Sequence, residues 1–294
     1  MEAPSTSQSE SLTNYLAATD AELRVFIDPE HMSYLPIYLG RADARHTLGA
    51  APAEVLRELW LAAKVFATHG GIFLTKWPAQ QIRRRRLEPL EVALIAGDPD
   101  VLKAITKRVG LDPMVLFAGI EPDEITAEVA AITDHFKTGS AKDPIDLAGA
   151  LALYYWLMLA AVADQDAEAF DAARRRALRL LDDIGHLLGG VAQGGIARIK
   201  AIYDVINGLN PARPDNVAKA IVRHAALAKI EYEKAQATDP EARDHAKGSL
   251  DRTALALLAM AKGFGLELGQ ALIAAGADAR MLAYAQALGH TSAT

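Results

Sequence analysis

The chain contains no cysteine, which excludes a disulfide framework, thiolate metal ligands and a cysteine nucleophile. No segment shows sustained period-two alternation rich in Val, Ile and Thr, so no sheet of consequence is expected. A strong overall field is missing too. The net charge is −6, but residues 1–30 carry six acids (Glu2, Glu10, Asp20, Glu22, Asp28, Glu30) against Arg24 alone. The remaining body holds 31 acidic and 30 basic residues, so attraction to a charged partner must come from local patches.

Nor is there a hydrophobic run of membrane length. The longest uncharged stretch, Leu147 to Ala163, would cover roughly 25 Å as a helix, against the ~30 Å hydrocarbon core of a bilayer. Asp146 and Asp164 bracket it, and no Lys/Arg asymmetry marks a cytoplasmic side. It reads as a central helix in contact with protein on all faces, so no membrane association is expected. The opening MEAPSTSQSE has neither a basic nor an apolar region of the kind a secretory signal needs, so a cytoplasmic location is expected. The tail 1–10 reads as flexible and polar, followed by one helical domain over 11–294, with a subdivision allowed near 139–143.

What the chain does have is alanine: 58 residues, 35 of them after position 150. Alanine is the best helix former, and its small side chain lets helices approach closely. Helical stripes follow. Phe170, Ala173, Ala177, Leu180, Ile184 and Leu187 recur at three- and four-residue steps from Asp166 onward, with Arg174, Arg175, Arg176 and Arg179 on the solvated side. Pro52 opens a helix whose apolar face is Val55, Leu59, Ala62 and Phe66 and which Gly70-Gly71 closes. Asp215 to Ala237 presents Val217, Ile221, Ala225, Ala228 and Tyr232 inward. A first helix is expected over 11–27, and Pro36 interrupts the apolar segment 31–39. Glycines at 263, 265, 269 and 276 divide the last stretch into two or three short helices.

One punctuation mark recurs. Asp-Pro stands at 28, 98, 112, 143 and 239, where the carboxylate can accept first-turn N–H groups and Pro loses no needed donor. The segments 96–101, 162–167 and 237–242 share a pattern of small residue, Asp, Pro or Gln, acid, then small or apolar residue. Each would be the turn of a helical hairpin. The expected fold is all-α, a multi-helical array of antiparallel hairpins, helical-repeat-like, with no significant β-sheet.

Catalytic signatures are weak. Asp182-Asp183 faintly resembles the aspartate-rich motif of isoprenoid synthases, but His186 and Leu187 stand where a further carboxylate is needed. Asp183 and His186 alone cannot form a metal site. GGVAQGG (189–195) lacks the GK[ST] ending and preceding strand of a nucleotide loop. Arg83 to Arg86 carries no interleaved aromatics, and Glu88 and Glu91 follow, so a nucleic-acid site is not expected. Tyr154, Tyr155 and Trp156 could line a pocket between helices.

The pieces LEVALIAGDPDVLKAI (90–105) and LAAVADQDAEAFDAA (159–173) place an apolar helix, a small-residue turn with Asp and a second helix in succession. Over residues 87–188 this resembles the hairpin of all-helical immunity proteins of bacterial polymorphic toxins, the Imm49-like group, and of tetratricopeptide-type repeats. The second copy has Ala163 where the pattern prefers Gly. The resemblance implies a bacterial cytoplasmic protein that neutralises a cognate toxin by covering its active site. From the residues themselves the expectation is a non-catalytic protein-binding protein without cofactor or metal. Its partner contacts are expected at Asp98, Asp100, Asp164, Asp166 and Glu168, and self-association is compatible with the pattern. The alternative is a helical enzyme or small-molecule binder with its pocket between helices.

Overall fold

The computed structural model describes residues 6–25, 28–74, 87–108, 158, 161–162, 166–185, 195–209, 213–238 and 250–291. Among the described residues the regular structure is helical and no strand occurs. The α-helices are α1 (Thr6–Glu22), α2 (Leu35–Thr47), α3 (Pro52–Leu74), α4 (Leu87–Ala96), α5 (Pro99–Arg108), α6 (Ala167–Gly185), α7 (Gly195–Asn207), α8 (Pro214–Thr238), α9 (Arg252–Gly263), α10 (Gly269–Ala274) and α11 (Ala279–Ala287). A 3-10 turn, Met32–Tyr34, leads into α2.

Helix α3 is the hub. Its inner face, Val55, Leu59, Ala62, Ala63, Val65 and Phe66, is buried, and it packs on α2, α4, α5 and α11. Helix α9 fills the corresponding place for α4, α8 and α11, with Leu255, Ala256, Leu257, Leu258, Met260 and Ala261 enclosed on nearly all sides. Helices α7 and α8 form an antiparallel hairpin through Tyr203, Ile206, Val217 and Ile221. Alanine is frequent where helices meet: Ala42, Ala62, Ala93, Ala218, Ala256 and Ala261 are fully buried. A methyl group at the contact point allows axes near the short end of the usual 8–10 Å spacing. Within Leu147–Ala163 the described residues Met158, Ala161 and Val162 are helical, with Met158 and Ala161 buried in the same core.

Several boundaries differ from expectation for identifiable reasons. Helix α1 begins at Thr6, so residues 6–10 belong to a helix instead of the polar tail, and it ends at Glu22, short of Ile27. Pro36 lies in the first turn of α2, where its missing N–H is not needed, and so it starts the helix it was expected to interrupt. Helix α3 runs through Gly70-Gly71 to Leu74; a glycine costs about 1 kcal/mol in a helix interior, which the continuing helix tolerates here. The Asp-Pro reading holds at Asp98, whose Oδ1 accepts from the backbone N–H of Asp100 (3.0 Å) and Val101 (3.3 Å) as Pro99 enters α5. Gly97, at φ 65°, supplies the left-handed residue that reverses the chain between α4 and α5. At Asp28 the same dipeptide makes a local turn, Oδ1 accepting from Glu30 N–H at 2.9 Å, and no helix starts there.

Candidate functional site

The segment Gly40–Thr47 (GRADARHT) places four ionisable side chains on a helix packed between others. Arg41, Asp43 and His46 are 4%, 1% and 7% exposed, respectively. The i, i+4 spacing sends Arg41 and Arg45 to one side of α2, and the i, i+3 spacing sends Asp43 and His46 to another. Each side becomes a polar seam between helices.

On the first side, Glu58 of α3 receives both arginines through Oε1, from Arg41 Nε at 3.0 Å and Arg45 Nε at 2.9 Å. Arg45 Nη1 reaches Glu54 at 2.6 Å, and Arg41 Nη1 meets Asp20 of α1 at 2.7 Å. A guanidinium that must be buried is thus surrounded by acceptors on two neighbouring helices, which is what its desolvation demands.

On the second side, Asp43 grips the entrance to α9. Its Oδ1 accepts from Leu250 N–H (3.3 Å) and its Oδ2 from Arg252 Nη2 (2.9 Å). The residue between them, Asp251, caps α9 by accepting from Ala254 N–H at 3.1 Å. The other oxygen of Asp251 lies 3.1 Å from His224 Nδ1 on α8. Three consecutive residues, Leu250-Asp251-Arg252, therefore fasten α9 to α2 and α8. Next to this node His46 Nδ1 lies 3.0 Å from the Tyr284 hydroxyl of α11. Burial, with help from the Arg280 cation, holds His46 down to about 3; burial pushes the Tyr284 phenol up to about 12, with Arg280 opposing. Both are neutral across the physiological range, and the phenol donates to the imidazole. His290 follows the same pattern: Nδ1 accepts from Leu268 N–H (3.3 Å), Nε2 donates to the Leu258 carbonyl (3.0 Å), and burial lowers its pKa.

An Asp–His pair is a common catalytic component, yet His224 is completely buried, so substrate has no route to its imidazole in this conformation. Among the described residues no group of three His, Asp or Glu converges as a metal-ligand set. An open, polar groove of about 420 Å³ lies at the α7–α8 turn, lined by Asp204, Asn207, Gly208, Arg213 and Asn216, and Asp204 there sits 3.5 Å from Arg223. No described helix is long and apolar enough to cross a membrane.

The acidic residues expected to meet a partner sit at helix entrances. Asp98 caps α5, and Asp166 caps α6 by accepting from Ala169 N–H at 2.9 Å. Asp100 and Glu168 are exposed in the first turns of those helices, where negative charge suits the dipole. Asp164 lies outside the described residues, as do Arg83–Arg86, Tyr154–Trp156, His186 and the greater part of GGVAQGG. Replacing Asp98 or Asp166 by Ala should each lower unfolding stability by about 1 kcal/mol in urea titrations, whereas Asp100→Ala should change it by less than about 0.5 kcal/mol.

The seam residues Arg41, Asp43, His46, His224, Asp251 and Arg252 escape a reading based on motifs. The available signal is indirect: GRADARHT is polar at positions where the helical period calls for core. No family model, curated protein or solved structure matches the chain.

Proposed function

We propose that the chain is a non-catalytic protein-binding protein, and that it acts as an immunity protein, neutralising a cognate bacterial toxin by stoichiometric contact. The observation that carries this reading is the use made of the buried ionisable groups. Arg41, Asp43, Glu58 and His46, with Asp251 and His224, are each committed to a neighbouring helix at hydrogen-bond distance, which makes a rigid scaffold. Charge at the helix entrances, by contrast, faces outward at Asp100 and Glu168. Fixed helices with acidic corners suit recognition of a basic protein surface, where charge sets encounter rate and register.

The test is co-expression with each candidate toxin gene found adjoining this one, followed by calorimetry of the purified pair. The expected result is a one-to-one complex and restored growth of toxin-expressing cells. Asp100→Lys with Glu168→Lys should weaken that complex about 10-fold or more while lowering the melting temperature by only a few degrees, the cost of reversing charge at two helix N-termini. Absence of any complex, together with a rise in melting temperature on adding small polar ligands that fit the Asp204–Arg213 groove, would favour a ligand-binding helical protein and overturn the proposal.

A further inference from the structure

Helix α1 is held in a way that sets it apart from the rest of the molecule. Of its seventeen residues only Leu12 and Thr19 are buried, and Leu12 packs with Ala44, Leu16 and Leu48 in a small cluster separate from the main core. The remaining hold is a few side chains: the Tyr34 hydroxyl donates to the Glu22 carbonyl (3.2 Å), Tyr15 lies against Gly40 of α2, and Arg41 makes the largest set of polar contacts. Arg41 Nη1 donates to the Leu16 carbonyl (3.2 Å) and the Thr19 hydroxyl (2.9 Å) and pairs with Asp20 (2.7 Å).

The sequence of α1 does little to keep it helical alone. Ser7, Ser9, Ser11, Thr13 and Asn14 are poor interior formers, and the Thr13 hydroxyl bonds back to the Ser9 carbonyl at 2.7 Å. Its last turn carries Asp20 and Glu22 and no base, the wrong charge for the carbonyl end. Arg41, contributed by α2, offsets that charge. An isolated helix of this length is marginal in water even with favourable residues, so undocking and unwinding of α1 are coupled.

We propose that α1 is a strap that opens as a unit of its own, well below the free energy of global unfolding, with Arg41 of α2 as its latch. Opening leaves α2, α3 and the main core in place, because Arg41 keeps Glu58 and the Leu12 cluster shares no residue with that core; the one core side chain it touches is Tyr34, whose ring stays packed while its hydroxyl exchanges the Glu22 carbonyl for water. It uncovers Ala44, Leu48 and the Nη1 edge of Arg41, a small apolar stripe beside a guanidinium.

Hydrogen-exchange mass spectrometry on the full chain tests this. Amides of residues 6–22 should exchange at least about 10-fold faster than the inner amides of α3 and α9. Asp20→Asn and Leu12→Ala should each speed exchange of 6–22 several-fold further and leave α3 and α9 unchanged. Arg41 itself is left intact, since removing it would also disturb Glu58. Exchange of α1 at the same protected rate as α3 and α9 would overturn the proposal, because α1 would then open only with the whole molecule. Variants that accelerate every helix equally, or none, would overturn the assignment of the latch.

Discussion

Replacing Asp43 by Ala is expected to cost about 3–5 kcal/mol, enough to unfold a protein of ordinary marginal stability or bring it to the edge. The carboxylate is 1% exposed and receives two donors from the start of α9, the Leu250 N–H and the Arg252 guanidinium. Truncation removes both acceptors at once. A buried N–H without a partner costs about 1–3 kcal/mol, and a largely enclosed guanidinium deprived of its carboxylate costs more. Arg252 also donates to the Leu39 carbonyl at 3.4 Å, a longer bond to a neutral acceptor that does not replace the charge. Asp43→Asn keeps the shape and one acceptor oxygen, so about half the loss is expected. Urea unfolding of both variants, followed by circular dichroism, checks the ordering. Equal stability of Asp43→Ala and the parent chain would show that the α2–α9 seam contributes nothing net.

That seam marks where sequence reading stops. The apolar stripes of α3, α6 and α8 are visible because a 3.6-residue period leaves a repeated signal along the chain: Val55, Leu59, Phe170, Val217 and Ile221 are buried as their spacing demands, Ala225, Ala228 and Tyr232 further along α8 are half-buried, and the side chains of Ala177, Leu180, Ile184 and Leu187 lie outside the described residues. The turn at Ala96–Val101 is equally local: Asp, Pro and Gly act within three or four residues of themselves. Asp43 is different. Its partners stand more than two hundred positions away, at Leu250 and Arg252, and His46 meets Tyr284 across 238 positions. No periodicity encodes such a pairing; the run from Arg41 to His46 shows only that polar groups stand where the helical period calls for core, not which distant residues answer them. The acidic corners are legible for the same local reason as the turns: an Asp just before a helix is expected to accept first-turn N–H groups, and Asp98 and Asp166 each cap the helix they precede.

Lowering the pH from 7 should weaken the fold well before the carboxylates titrate, and His46 is the reason. Its folded pKa is held at about 3, while the same imidazole in the unfolded chain titrates near the ordinary value of 6.5. Above that unfolded value both states are neutral at this position, and the His46–Tyr284 contact contributes its full stability. Below it the unfolded chain takes up a proton that the folded chain refuses. Stability then falls by about 1.4 kcal/mol per pH unit until the folded group itself protonates near 3. From 6.5 to 4.5 this one residue removes roughly 3 kcal/mol. The lowered His290 adds to the same trend, so the discriminating experiment is a difference. Urea midpoints measured between pH 7.5 and 5 should decline in the parent chain, and His46→Gln, which retains a polar side chain near the Tyr284 hydroxyl without a titratable ring, should decline less steeply by about one proton's worth of slope. Tyr284→Phe removes the phenolic donor and leaves the imidazole; it should lower stability at pH 7.5 by about 1 kcal/mol, with the acid slope retained. Parallel pH profiles for the parent and His46→Gln would mean that the imidazole titrates alike in the folded and unfolded chain, as a freely hydrated group would.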